Sequence, residues 1–357
     1  MQLSIKEIKQ IILAAPRTTS IMIHGQPGIG KTALTEQVAK EEGSEHVVFL
    51  AATMDPTDLS GVPFPNEKNK TCVFYPPQSL INLTTAAPPD KQGPVVACFD
   101  DLPTADDHVF AALFRLFQQR EVAGFKIRDN VRLIGTGNRA DDKAAAKDMP
   151  TALNNRFWHV DLNVSVDDWR LWAVENKIAP SIVGYISARP DKLNTFDPKV
   201  TDPAFATPRS VAMASKLQDA IGGINSPLLF AVIAGCVGEA WAVEYQAFLK
   251  NTEHLVKPEE IMKDPHTARV PEAKQVDVLH ATLASLTYHV SNHVAIDTVL
   301  KAFTYAQRVP HPDMGMVCVH SILQGVVTPH KSPDFKAKII GSPEFTDLIE
   351  KHGYMIQ

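Results

Sequence analysis

The chain has 357 residues, 45% of them hydrophobic, which exceeds the length over which one hydrophobic core keeps growing, so two or three domains are expected. A net charge of −5 with no Lys/Arg-rich run argues against a general affinity for nucleic-acid phosphates, although a local basic patch stays open. The four cysteines, Cys72, Cys98, Cys236 and Cys318, are scattered without C-x-x-C pairing, and buried reduced thiols are expected rather than disulfides.

The N-terminal stretch "MQLSIKEIKQIILAAP" has amphipathic helical spacing, and its apolar run is too short for a secretory signal. Next, "SIMIH" reads as a buried strand, "GQPGIGKT" as a loop, and "KTALTEQVAKEEG" as a helix. The loop, Gly25 to Thr32, matches G-x-x-x-x-G-K-[ST]. Gly25 and Gly30 let the backbone curl so that successive N–H groups point at phosphate oxygens, and the helix N-terminus adds its dipole. Lys31 would reach the β and γ phosphates and Thr32 would ligate Mg²⁺. The phosphate cradle is therefore expected over Gly25, Gln26, Pro27, Gly28, Ile29, Gly30, Lys31, Thr32 and Ala33.

From Ser20 to about Val164 the apolar runs "SIMIH", "HVVFLAA", "VVACFD", "VRLIGTG" and "FWHVDL" alternate with helical stretches, the pattern of a parallel sheet wrapped by helices. Two segments interrupt it. In "DPTDLSGVPFPNEKNKTCVFYPP" the "NEKN" joins two short β-prone runs, and in "REVAGFKIRDN" Gly124 lies between two more, so both are expected as β-hairpins projecting from the core. "VVACFDD" ends a strand on two acids, where a P-loop enzyme normally places an Mg²⁺-ligating carboxylate, here Asp100, followed by the base that orients the attacking water, here Asp101. Thr104 and Asp107 are spaced as a capping box for the helix that follows. The next strand finishes on Asn138, at the carboxyl end of the sheet, where it could hold the nucleophilic water.

After Val164 the β pattern stops. "VDDWRLWAVENK", "APSIVGYISAR" and "PRSVAMASKLQDAI" have helical spacing, "GGINSP" punctuates, and the remainder to Gln357 is again helical apart from a Pro- and charge-rich loop around "KPEEIMKDPHTARVPEAK". The expected division is 1–165, 166–225 and 226–357. "PLLFAVIAGCVGEAWAV" is interrupted by Glu239 and glycines and reads as a buried helix rather than a membrane span. His289 and His293 are four apart and could share a helix face, but no third metal ligand is evident nearby, and exposed histidines are expected. There is no internal repeat or low-complexity tract.

The P-loop, the paired acids, the strand-end Asn, and then "LNNRF" and "ATPRS" in that order resemble the AAA+ ATPases, specifically the MoxR-like, dynein-related branch. The insert opening "DPTDLSGVP", the hairpin before Asn138 and the tail with "GEAWAVEYQAFLK" and "YAQRVP" are also similar, so the likeness covers nearly the whole chain. The resemblance implies an α/β P-loop AAA+ core with a parallel sheet and β-hairpin inserts, a helical lid domain, and a helical C-terminal extension. It implies ATP and Mg²⁺ as cofactors, with Asn138 as sensor 1, Arg156 as the arginine finger and Arg209 as sensor 2. It also implies a homo-oligomeric ring, expected as a hexamer; the unpaired cysteines fit a cytoplasmic protein, and no membrane association is expected. Such proteins act in remodelling, often with a von Willebrand factor A-type partner, to mature or activate a client protein. The family usually has Glu where Asp101 stands; Asp is one methylene shorter, which puts slower hydrolysis among the expectations. A guanidinium fork suits both arginine positions because phosphoryl transfer spreads charge over the γ oxygens.

Two rival readings use the same residues. "DLSG" (58 to 61) mimics a GTPase D-x-x-G and "NRAD" (138 to 141) mimics the guanine-reading N-K-x-D, but "DLSG" sits beyond its strand and Arg139 stands where Lys belongs. A DNA-acting AAA+ motor would share the core, and the acidic balance with no appended DNA-binding motif argues against it.

Overall fold

Residue-by-residue alternation of apolar side chains builds one six-stranded sheet with both faces covered. The structure is a computed structural model describing residues 2–142, 147–200, 202–252, 255–327 and 332–352. In chain order the sheet strands are β1 (Gln2–Leu3), β2 (Ile21–His24), β3 (Glu45–Leu50), β6 (Val95–Asp100), β9 (Val131–Gly137) and β10 (Trp158–Leu162). They lie in the order β1-β10-β2-β9-β6-β3, every pair parallel. Ile21, Ile23, Val96, Ile134 and Val160 send their side chains to one face, against Ile8 and Ile12 of α1 (Ile5–Ala14) and Leu34 and Val38 of α2 (Lys31–Glu42). Met22, Val95, Ala97, Phe99 and Leu133 point to the other, against Val109, Phe110, Leu113 and Phe117 of α5 (Asp107–Gln119). A parallel sheet covered on both faces is the α/β arrangement that the alternating pattern predicts.

Between β3 and β6 lie α3 (Pro56–Ser60), the antiparallel hairpin β4 (Val62–Asn66) and β5 (Thr71–Tyr75), and α4 (Gln78–Ile81). The second hairpin pairs β7 (Glu121–Val122) with β8 (Phe125–Lys126) across Gly124, whose φ of +87° suits glycine. The short α6 (Thr151–Asn154) precedes β10. The two-residue β1 is too short for any periodicity to reveal, yet it extends the sheet by pairing Leu3 with Leu162.

The helical region comprises α7 (Val166–Glu175), α8 (Pro180–Ala188), α9 (Pro208–Ala220), α10 (Leu229–Val237), α11 (Glu239–Asn251), α12 (Pro258–Lys263), α13 (Val276–Asn292), α14 (Ile296–Ala306), α15 (Pro312–Ile322), α16 (Pro333–Ile340) and α17 (Pro343–His352). Two compact units result: Met1–Val164 with Asp197–Val200, and Ser165–Phe196 with Thr201–Gln357. Helices from both sides of residue 225 fall in the second unit. There Tyr185 of α8 packs its ring on Trp241, Tyr245 and Phe248 of α11, and the Tyr245 hydroxyl donates to Gln218 Oε1 of α9 at 2.8 Å. Residues 1 and 353–357, included in the expected domains, lie outside the described residues.

Several expectations change. "PLLFAVIAGCVGEAWAV" is two helices, not one: Gly238, at φ +97°, separates α10 from α11, and no described helix is long and apolar enough to cross a membrane. The loop around "KPEEIMK" contains α12. Cys98, Cys236 and Cys318 are buried thiols, but Cys72 is exposed on the β4–β5 hairpin, where a strand with both faces in solvent gives it no cover. His289 is half-buried rather than exposed; its ring stacks on that of His293 at 4.4 Å, and no group of three metal-ligating side chains occurs among the described residues.

Candidate functional site

The P-loop, Asp100 and Asn138 come together because β2, β9 and β6 are neighbours and all point the same way. Their carboxyl ends open on one edge of the sheet, where ligands gather in open α/β folds. The loop leaves β2 after His24 and enters α2 at Lys31. Gly30 is the N-cap residue at φ +101°, a conformation that an L side chain rarely adopts, and no side chain caps that helix among the described residues. Uncapped first-turn N–H groups are what an anion at a helix N-terminus uses.

Lys31 is buried, 7% exposed. Its ammonium donates to the carbonyls of Gly25 at 2.8 Å and Gln26 at 2.9 Å, and to Asn138 Oδ1 at 2.8 Å. Behind it, Gly25 N–H donates to the Gly137 carbonyl at 3.2 Å. The cation therefore spans two loops that leave adjacent strands.

Asp100 forms the second cluster. Thr32 Oγ1 donates to Asp100 Oδ1 at 2.8 Å, and the Thr136 hydroxyl donates to the same oxygen. A hydroxyl and a carboxylate sharing a contact at the foot of the P-loop form an oxygen donor set suited to Mg²⁺. The residues present thus fit Mg·ATP: amides and an ammonium for phosphates, oxygens for the metal.

Asp101 follows in a left-handed conformation, φ +52° and ψ +39°, which Asp tolerates better than most residues. Its N–H approaches Thr136 Oγ1 at 3.4 Å, and its carbonyl accepts from Thr104 Oγ1 at 2.6 Å. The Thr104–Asp107 capping box does not form. Thr104 closes a 3-10 turn, Leu102–Thr104, so its hydroxyl is spent on Asp101, and α5 begins after Asp106 without a side-chain cap. Neither acid caps α5 in its place.

Thr136 escaped the sequence reading, although period-two counting could have found it. Val96, Cys98 and Asp100 alternate onto the α2 face of the sheet, as do Ile134, Thr136 and Asn138, so a hydroxyl at 136 must meet Asp100 on the neighbouring strand. A second missed feature lies beside the loop: His24 Nε2 is 2.9 Å from His159 Nδ1 and the two rings stack at 5.2 Å. Burial first, then the neighbouring His159, hold His24 down to about 4.

Arg156 belongs to the same unit but not to this cluster. It follows α6, half-buried; Nη1 donates to the Ala152 carbonyl at 2.8 Å, and the guanidinium lies over the Phe114 ring of α5 at 4.9 Å. No carboxylate pairs with it among the described residues. Arg209 lies in the second unit, exposed in the first turn of α9, where the "ATPRS" stretch forms a capping box between Thr207 and Ser210. Of the GTPase mimics, Asp58 accepts from Asp55 N–H at 2.8 Å in the capping box of α3, and Arg139 pairs with Asp161 at 2.9 Å, while Asn138 is committed to Lys31.

Residues 20–157 match the family model described as AAA domain, dynein-related subfamily. Together with the parallel sheet, the match makes this unit a P-loop AAA+ α/β fold, followed by a helical C-terminal region. No curated protein matches the chain. Among solved structures, the RuvB Holliday junction branch migration motor of Thermotoga maritima is 14% identical with a TM-score of 0.38, covering 84% of this chain and 86% of that one. An uncharacterised ATPase from Cytophaga hutchinsonii is 14% identical with a TM-score of 0.32, covering 88% and 79%. Neither likeness bears on function.

Proposed function

We propose that this chain is an ATP-hydrolysing AAA+ remodelling protein of the MoxR-like kind, working as a homo-oligomeric ring, with a hexamer as the expected state. The observation that carries the reading is the paired cluster at the strand ends: Lys31 held between the P-loop carbonyls and Asn138, beside Asp100 held by Thr32 and Thr136. When bound, Mg·ATP supplies the phosphoanhydride and a divalent charge that neutralises developing negative charge. Gly25 to Ala33 hold the phosphates, and Thr32 with Asp100 offers the metal oxygen ligands. Lys31 exchanges its carbonyl contacts for phosphate oxygens. Asp101 accepts the proton of the attacking water while Asn138 orients it. Arg156 acts on the nucleotide of the neighbouring subunit, and Arg209 serves its own chain. A von Willebrand factor A-type partner and a protein client complete the reading, which rests there on resemblance in the insert and tail.

The test is steady-state hydrolysis of ATP and GTP by the purified protein, with and without Mg²⁺ and DNA. Mg²⁺-dependent ATP hydrolysis that DNA leaves unchanged supports the proposal. Preference for GTP, or strong stimulation by DNA, overturns it in favour of a switch or a DNA-acting motor.

A further inference from the structure

A chain of two hydrogen bonds leads from the P-loop strand to the turn that carries Arg156. His159 Nε2 lies 2.7 Å from the Asn154 carbonyl, and because a carbonyl only accepts, that nitrogen carries the proton. In the neutral ring Nδ1 is then an acceptor, so His24 Nε2–H must donate to it across 2.9 Å. With both rings neutral, this one terminal contact fixes both tautomers. Stacking at 5.2 Å with an interplanar angle of 13° holds the rings side by side.

The two ends of the chain sit where they matter. His24 immediately precedes Gly25, whose carbonyl holds Lys31. Asn154 ends α6, and Arg156 hangs on the same helix end: its N–H donates to the Leu153 carbonyl at 3.0 Å and its Nη1 to the Ala152 carbonyl.

We infer that His24 and His159 are positioning residues, coupling the P-loop strand of a subunit to the Arg156 turn that the subunit offers to its neighbour. The inference rests on the trans-acting role proposed for Arg156. The charged and titratable groups facing His24 are His159, Asp161, Arg139 and Lys31. His159, Arg139 and Lys31 disfavour a proton on His24 and only Asp161 favours one, which together with burial keeps His24 neutral. A shift of the loop on binding phosphate would then pull on a stiff link rather than on solvent.

The experiment uses mixed rings, so that damage to a subunit's own P-loop does not count. Arg156→Ala subunits bind ATP with an intact P-loop but lack the arginine; Lys31→Ala subunits cannot bind but donate it. Donors compared are Lys31→Ala alone and Lys31→Ala combined with His159→Phe, His24→Phe or His24→Gln. Phe keeps the flat stacked ring without the hydrogen bond, whereas Gln keeps an Nε2–H donor without the ring. Restored turnover is expected to fall about tenfold with either Phe donor, the worth of a single positioned hydrogen bond, and to be largely retained with His24→Gln. Equal restoration by the Phe donors, or retention with Phe and loss with Gln, overturns the inference in favour of simple packing. A Phe donor that light scattering shows to be absent from mixed rings also overturns it, since the pair then acts on folding. If the Lys31→Ala donor with both histidines intact restores nothing, the trans-acting reading itself fails and takes this inference with it.

Discussion

Lys31 Nζ stands 2.8 Å from Asn138 Oδ1 and ties the loop after β2 to the loop after β9 through one ammonium. Removing it strips the P-loop of its only long cation while the glycines remain. Lys31→Ala is therefore expected to abolish tight ATP binding in a folded protein, measured by titration calorimetry. Unchanged affinity would sink the P-loop assignment.

Asp100 and Asp101 are adjacent in sequence, and the proposed function gives them different work. Asp100→Asn, which weakens the oxygen set shared with Thr32 and Thr136, should reduce Mg²⁺-dependent binding; Thr136→Val should do the same more mildly, by about tenfold. Asp101→Asn suits the left-handed backbone there, keeps Mg·ATP bound, and should slow turnover by about 10²–10⁴-fold through loss of the proton acceptor. Binding and single-turnover assays on the same preparations separate the two, and wild-type turnover in Asp101→Asn would show that another group orients the water.

Gly137 has no room for a side chain. A Cβ there would come within 2.2 Å of Pro103 Cδ and 2.5 Å of its Cγ, and a proline ring in a tight turn cannot swing away. Gly137→Ala is expected to cost about 1–3 kcal/mol of unfolding free energy and to displace the turn bearing Asp101. Chemical denaturation checks the first effect and ATP turnover the second.

Among the described residues Arg156 bonds to its own turn and lies over Phe114, away from the nucleotide cluster of its own unit. Arg156→Ala should bind ATP normally and lose about 10³–10⁵-fold in hydrolysis. Mixing it with Lys31→Ala under subunit-exchange conditions should restore part of the activity, because some interfaces then pair an intact P-loop with an intact arginine. No recovery from variants that both assemble would remove the trans-acting role.

His280 of α13 gives the helical unit a defined acid response. Burial, then the nearby Arg170 charge, pulls its ring from 6.5 down to about 4. The unfolded chain therefore binds a proton that the folded chain refuses between those values. Its contribution is fully present above about pH 6.5 and is lost as the pH falls toward 4. His280→Asn should show a smaller drop in melting temperature between pH 7 and pH 5 than the parent protein, measured by scanning calorimetry.

What could be read along the chain was whatever depends on neighbours in sequence. The proposed cradle of residues 25–33 is a local loop running into the first turn of a helix, so its glycines, Lys31 and Thr32 announce it. The strands of the core, both hairpins and the helices after Val164 follow from periodicity and turn chemistry within short windows. Asp100 and Asn138 were legible as strand-end polar residues following apolar runs.

The tertiary structure decided everything that depends on which strands become neighbours. Thr136 reaches Asp100 only because β9 lies beside β6, and His24 meets His159 only because β10 pairs with β2, 135 positions away. Hydroxyls and imidazoles carry no directional label in a one-dimensional pattern, and a hydrogen bond is set by a few tenths of an ångström that strand order and register alone provide. The same reason explains the failed capping box: Thr104 had the right spacing, but the tight turn forced by Pro103 and the packed Gly137 gave its hydroxyl a nearer carbonyl.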